Sequence, residues 1–413
     1  MEKLQPCSER CLLFWEKSTT EEGRIDMAEK PLIALLTNND DDVYCFRLEL
    51  IQAILNSGYR MLISCPYGPK LEVMEEMGLK MNESFFYDNP VIDRRGTSLA
   101  KDFKLMMHYR SLFKTYKPAV ILTYTAKPNV YASLVAHRLR IPVINNVTGL
   151  GSVLKESGLK KKLIMTLFKT AYRGSSCIMF QNSTNMELAK KLGWVKGECR
   201  LIPGSGVALD RFPVQDYPDG GNGKEGAPIV FNYIGRVMHD KGVDDYIAAA
   251  KNIKEKYPNT EFNMLGFIEP TEKHYETELE ELGRKGIVQY RGSQKDVRPW
   301  IKRSHAIIHP STYGEGMSNV LLENASSGRV IITTDNPGCK ETVVDGLTGY
   351  IYHGGNLNEL VNRIDYFVCG VSNEKRKQMG FAGRMKVEQE FSREVVIDAY
   401  INKIKELTIH KSI

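Results

Sequence analysis

The chain has 413 residues, more than one compact core holds at roughly 150 residues per domain, so two domains are expected and three at most. Hydrophobic residues make up 42% and charged residues 26%, which excludes a mainly disordered chain. Lys+Arg 56 against Asp+Glu 50 leaves +6, too dilute for a nucleic-acid binder but compatible with a local basic patch facing an anionic ligand or membrane.

In chain order, residues 1–30 are polar, charged and aperiodic, a loose leader in which Met27 offers an alternative start. The apolar piece 11–15 is too short for a signal-peptide core and has acidic residues on both sides. No apolar run reaches the roughly 18 residues of a spanning helix, so a cytoplasmic protein is expected. From Pro31 short apolar strands alternate with helical stretches. Strands are expected at 32–37, 61–64, 120–124, 143–146 and 177–181, with helices at 46–57 and 99–116 between them. These strands lack period-2 alternation, as strands buried on both faces do, and the rhythm means βα units and parallel sheets.

The pattern then repeats, with strands at 229–234, 262–265, 288–290, 306–309, 330–333 and 349–352 and helices at 243–256, 270–285, 318–327 and 357–368. Between the halves, Pro213, Pro218, Gly220, Gly221, Gly223 and Gly226 forbid a regular element. The expected division is 31–205 for the first domain, 206–228 for the linker, 229–390 for the second domain, and a helix in 391–413 packing back on the first. The fold class is α/β, two Rossmann-like doubly wound domains facing across a cleft, with ligands at the carboxyl ends of the strands. Cysteines 7, 11, 45, 65, 177, 199, 339 and 369 form no metal-spaced cluster, so reduced, mostly buried thiols are expected.

The first strand runs into Asn38-Asn39-Asp40-Asp41-Asp42, with no glycine fingerprint and no Walker sequence, which disfavours a nicotinamide dehydrogenase or a P-loop ATPase. The three aspartates read as a helix start, not as a magnesium site. Chemistry concentrates in the second half. Gly235 and Arg236 through Lys241 and Gly242 bring a close-approach glycine and two cations to a strand end, suited to a diphosphate. Further on, His309-Pro310-Ser311 and Gly314-Glu315-Gly316-Met317-Ser318-Asn319 lead from a strand through a glycine loop into a helix whose N-terminus suits an anion. Glu315 and Glu323 are carboxylates that can each accept from a vicinal diol, one on a sugar and one on a ribose.

These motifs, with Asn336-Pro337-Gly338 and Asp345-Gly346, resemble the retaining glycosyltransferases of family four, which have the GT-B fold. Arg95-Gly96-Thr97-Ser98, Thr125 through Tyr131 and Asn146-Val147-Thr148-Gly149-Leu150-Gly151 are similar to the capsular-polysaccharide and polyprenyl-diphosphate-linked N-acetylgalactosaminyltransferases within that family. The resemblance implies a UDP-sugar donor, a polyprenyl-diphosphate-linked saccharide acceptor, a peripheral position at the membrane, and no cofactor or metal. It makes Arg236, Lys241 and Glu315 catalytic. It gives donor binding to Gly235, Glu315, Gly316, Met317, Ser318, Asn319, Glu323 and Arg291, with Arg291 near the base. The acceptor side falls to Thr125, Lys127, Asn129, Asn146, Thr148 and Gly149. Many family members have a histidine in these first-domain loops, where this chain has Thr125 and Thr148; His108 and His137 fall in helices and read as structural.

A basic amphipathic stretch sets Leu159, Leu163, Ile164, Leu167 and Phe168 against Lys155, Lys160, Lys161, Lys162, Lys169 and Arg173, and is either a membrane-docking helix or an ordinary surface helix. Two rivals share the architecture: a non-hydrolysing nucleotide-sugar epimerase and a non-catalytic sugar-nucleotide-binding subunit. The second has no need for leaving-group cations.

Overall fold

The computed structural model describes residues 30–93, 98–150 and 158–409. The leader, most of the 95–98 motif, Gly151, Lys155 and the side chains of Leu159 and Lys160 lie outside the described residues. Seven parallel strands form the first sheet: β1 (Leu32–Leu36), β2 (Arg60–Ser64), β3 (Phe85–Asp88), β4 (Val120–Tyr124), β5 (Val143–Val147), β6 (Cys177–Phe180) and β7 (Glu198–Leu201), in the order β3-β2-β1-β4-β5-β6-β7. Six more parallel strands form the second: β8 (Ile229–Ile234), β9 (Thr260–Leu265), β10 (Gln289–Tyr290), β11 (Ala306–His309), β12 (Val330–Thr334) and β13 (Gly349–Tyr352), in the order β10-β9-β8-β11-β12-β13. Both are doubly wound sheets. In β1, β4 and β8 every residue is buried, which is why these strands are mostly apolar and lack period-2 alternation.

Strand order reverses between β1 and β4 in the first sheet and between β8 and β11 in the second. The loops leaving β8 and β11 therefore diverge over a crevice at the switch point of the second sheet. They carry Lys241 and Glu315. The fold itself brings together two residues 74 positions apart.

The proline- and glycine-rich segment between the sheets is held by three buried arginines of the second domain. Arg384 donates to the Phe212 carbonyl, Arg329 to the carbonyls of Gln215 and Asp216, and Arg376 to that of Gly221. The chain then returns. The helix Arg393–Ile409 lays Val396, Tyr400, Ile401 and Ile404 into the core of the first domain, and Tyr400 accepts a hydrogen bond from Asn146 there. The preceding helix Asn373–Glu390 is polar in sequence and was not expected. Its Gly380 passes so close to the Gly328 carbonyl that a Cβ would sit 2.0 Å from that oxygen.

The basic helix Gly158–Arg173 turns its apolar face inward, packing Phe168 and Tyr172 on Trp194. Among the described side chains of this helix, Leu163 is an exposed large apolar residue, and Lys162 and Lys169 are exposed as well. The three aspartates form the first turn of the helix Asp40–Phe46, capped by the Asn39 side chain. Among the described cysteines, 65, 177 and 339 are buried and Cys369 is exposed. No helix among the described residues is long and apolar enough to cross a membrane.

Candidate functional site

Lys241 sits in a single helical turn after β8 and is buried. Its ammonium contacts Oε1 of Glu315, which comes from the glycine loop after β11. The same oxygen accepts from the Ser311 hydroxyl at 3.4 Å and lies 3.7 Å from Nε2 of His309. Oε2 has no hydrogen-bond partner among the described residues and is left for a ligand. Burial pushes the Glu315 carboxyl up, but Lys241 and His309 outweigh it and hold it down at about 2. His309 is buried beneath the pair, and burial first and Lys241 next lower its pKa despite the carboxylate beside it. This positioning histidine stood in the sequence motif, but no spacing distinguished it from a strand-end residue.

Ser318 occupies the N-cap position of the helix Asn319–Ser326, but its hydroxyl is turned to Nε2 of His309 at 3.3 Å, not to the helix. The amides of Asn319 and Val320 consequently have no protein partner among the described residues. The start of a helix carries unpaired amides and the positive end of its dipole, which favours an anion. Arg236 lies on the other side, 3.3 Å from the buried carboxylate of Glu269. Arg236 and Lys241 lie 5.4 and 5.1 Å from the Tyr313 ring centre. Two cations, one aromatic wall and a helix start thus converge at the switch point.

Glu323 projects from the next turn of that helix without a hydrogen bond or ion pair among the described residues. Burial pushes its carboxyl up to about 7, against the pull of Arg211 and Arg393. A folded value above the unfolded value near 4.3 means that the fold prefers the protonated acid. The stability this gives is complete below about 4.3 and is lost as pH rises through 7. Glu323→Gln is therefore expected to melt above wild type at pH 8 and level with it at pH 4. A melting difference independent of pH would contradict this burial.

Other expected site residues make the following contacts. Arg291 donates to Asn263 at 3.0 Å and lies 5.2 Å from the Trp300 ring centre. Met317 contributes its side chain to the core and abuts Gly204. Any ligand contact there is made by backbone. Gly235 packs normally, whereas Gly266 beside it has no room for a Cβ, which would sit 1.7 Å from the Gly235 carbonyl oxygen.

On the first domain, three of the residues expected on the acceptor side are engaged in internal bonds. Asn129 is buried and bonds Thr123 and the Asn146 carbonyl; Asn146 is buried and bonds Tyr400 and Gln181. Lys127 pairs with Asp102, whose other oxygen accepts from Tyr131. A buried polar network that ties strands to helices has the same composition as a binding loop. Thr125, Thr148 and Gly149 remain at the strand ends. Thr125 has φ 66, a left-handed conformation that costs a β-branched residue of order 1–3 kcal/mol. Gly149 is pressed to the second domain, where a Cβ would lie 2.8 Å from the Gly314 carbonyl oxygen.

Two family profiles match this architecture, Glycosyl transferase 4-like over residues 33–182 and Glycosyl transferases group 1 over residues 219–386. The chain is 24% identical over 346 residues to the N,N'-diacetylbacillosaminyl-diphospho-undecaprenol alpha-1,3-N-acetylgalactosaminyltransferase of Campylobacter jejuni, covering 80% of this chain and 88% of that one. It is 23% identical over 321 residues to the capsular polysaccharide biosynthesis glycosyltransferase CapM of Staphylococcus aureus, covering 75% and 83%. The Anabaena protein HepE, solved in complex with UDP and glucose, superposes with a TM-score of 0.70 at 16% identity, over 91% of this chain and 99% of that one. With a 4-like domain carrying the first sheet and a group 1 domain carrying the second, the chain belongs to the GT-B glycosyltransferases and is itself a glycosyltransferase.

Proposed function

We propose that this glycosyltransferase moves a sugar from a UDP-sugar to a saccharide carried on a polyprenyl diphosphate, with retention at the anomeric carbon. The observation that carries the donor half is the buried Lys241–Glu315 pair, with Glu315 in the loop that leads into the helix Asn319–Ser326, whose N-cap side chain does not cap it. Cleavage of a glycosyl–diphosphate bond builds negative charge on the leaving oxygen. Lys241, Arg236 and the helix start oppose that charge from fixed positions, and this reading needs no metal. Glu323 accepts the ribose hydroxyls, and Oε2 of Glu315 accepts hydroxyls of the transferred sugar. The acceptor enters from the first domain past Thr125 and Thr148. The two relatives' printed activities, a diphospho-undecaprenol acceptor and capsular polysaccharide, support the acceptor half, and HepE with UDP supports the nucleotide. The test is release of free nucleotide from UDP-, GDP- and ADP-sugars in the presence of a polyprenyl-diphosphate saccharide. Release of UDP with a lengthened glycan is expected; conversion of the donor into a new sugar nucleotide without transfer would favour an epimerase instead.

A lipid-linked acceptor has to be met at a bilayer surface, and a second helix suits this better than Gly158–Arg173. In the helix Leu99–Tyr116, Leu99, Phe103 and Met107 are 71%, 61% and 46% exposed. They run in one line that continues through exposed Arg110 and Lys114, with Lys104 alongside. Its single acid, Asp102, is buried against Lys127. Exposed apolar residues followed by exposed cations on one helix match an anionic interface, at about 1 kcal/mol per cation. Phe103→Asp with Met107→Asp should abolish sedimentation with phosphatidylglycerol vesicles and spare transfer to a water-soluble acceptor. Charge reversal at Lys161 and Lys162 should do much less. The opposite ranking would return the docking role to Gly158–Arg173.

A further inference from the structure

We propose that Asn182, assisted by Asn185, is a positioning residue that latches the first domain onto the Glu315 loop, so that the donor carboxylate is set by domain closure. The proposal rests on the reading of Glu315 given above. Asn182 ends the strand–helix junction after β6, and its side chain faces two ways. Oδ1 accepts from the Asn185 amide at 2.8 Å and caps the helix Ser183–Lys191. Nδ2 crosses to the second domain, donating to the carbonyls of Gly316 at 2.6 Å and Glu315 at 3.2 Å. The Asn185 amide group adds a third bond, to the Glu315 carbonyl at 3.3 Å.

The backbone of the loop is thus held from across the cleft, while the Glu315 side chain faces Lys241 in its own domain. Close approach depends on bare glycine. A Cβ on Gly316 would fall 2.3 Å from Oε1 of Gln181 and 2.5 Å from the Thr148 carbonyl oxygen. The loop cannot be reached this way unless the domains are together, so these bonds exist only in the closed form. Opening releases the two carbonyls and frees the loop to move Glu315 relative to Lys241. Domain closure that completes a catalytic set is a common source of commitment in two-domain enzymes.

The two duties of Asn182 separate by chemistry. Asn182→Ser and Asn182→Asp each keep an oxygen for the helix cap, so folding is retained. Both lose the amide donor, and the aspartate sets a carboxylate against two carbonyl oxygens. Asn185→Ser removes only a crossing bond and leaves the cap untouched. The expected result is a kcat lowered roughly tenfold or more in Asn182→Ser and further in Asn182→Asp, with donor KM within about twofold, because misplacement acts on the reacting geometry. Solution scattering without ligand should show a larger radius of gyration for Asn182→Asp than for wild type. Unchanged kcat in all three variants while Glu315→Gln is inactive would overturn the latch and leave the donor reading standing. Should wild type release UDP from no sugar nucleotide, the donor reading fails. Scattering then decides the latch alone: equal radii for wild type and Asn182→Asp overturn it.

Discussion

Lys241→Ala is expected to lower kcat by roughly 10²–10³, the range for removing one fixed donor to transition-state charge. The same substitution should weaken the fold. It leaves Glu315 buried without its cation, and a broken buried pair costs about 3–5 kcal/mol, less here to the extent that both side chains retain 11% and 14% exposure. The acid limb carries a further signature. The Glu315 carboxyl is held at about 2, below its unfolded value near 4.3, so its contribution is complete above about 4.3 and is lost as pH falls towards 2. In Lys241→Met with Glu315→Gln this acid loss should vanish and most of the stability return, because neither charge is left unpaired. Activity should not return. Melting at pH 7 and pH 3, with turnover at pH 7, separates the two roles; recovery of activity in the double variant would show the pair to be structural.

The largest effect on stability is expected at Arg329. Its guanidinium is fully buried and donates to the carbonyls of Ile301, Lys302, Gln215, Asp216 and Gly328. Burial pulls its pKa down to about 10, with Tyr217 and Asp216 opposing, so it is charged at pH 7. Arg329→Met should cost roughly 3–5 kcal/mol, since several buried carbonyls lose a charged donor together. Arg329→Lys should recover little, because an ammonium cannot span the same fork. Urea unfolding checks this: a lower midpoint is expected, and a midpoint equal to wild type would mean that the linker is held by something else.

The interior strands were legible because burial on both faces writes an apolar run into the chain, as in β1, β4 and β8. The strands β3 and β7 escaped because they are sheet edges. Phe85–Asp88 and Glu198–Leu201 are mostly half-exposed and short, and Glu198 and Arg200 break any apolar run in the latter. The helix Asn373–Glu390 escaped for a related reason: it packs through glycines and buried arginines, not through an apolar stripe.

At the candidate site, the juxtaposition of Lys241 with Glu315 was foreshadowed by two glycine-bearing loops that each follow a strand, with Glu323 further along the helix Asn319–Ser326. Their partners were not. Glu269 beside Arg236, His309 beneath Glu315 and Asn182 across the cleft are set by tertiary contacts that no window of sequence contains. Asn129 and Asn146 show the converse: both are buried and bonded within the first domain. In sequence a buried amide that braces strand ends cannot be distinguished from one that waits for a ligand.

The central claim is that the second domain holds a nucleoside diphosphate at Lys241 and the helix beginning at Asn319. Calorimetric titration of UDP and of uridine into wild type and Lys241→Ala tests it most directly. UDP should bind wild type at least tenfold more tightly than uridine does, because charged hydrogen bonds to the diphosphate are worth about 1.5–3 kcal/mol each, and Lys241→Ala should lose much of that margin. Equal affinity for UDP and uridine, or a margin untouched in Lys241→Ala, would contradict the assignment.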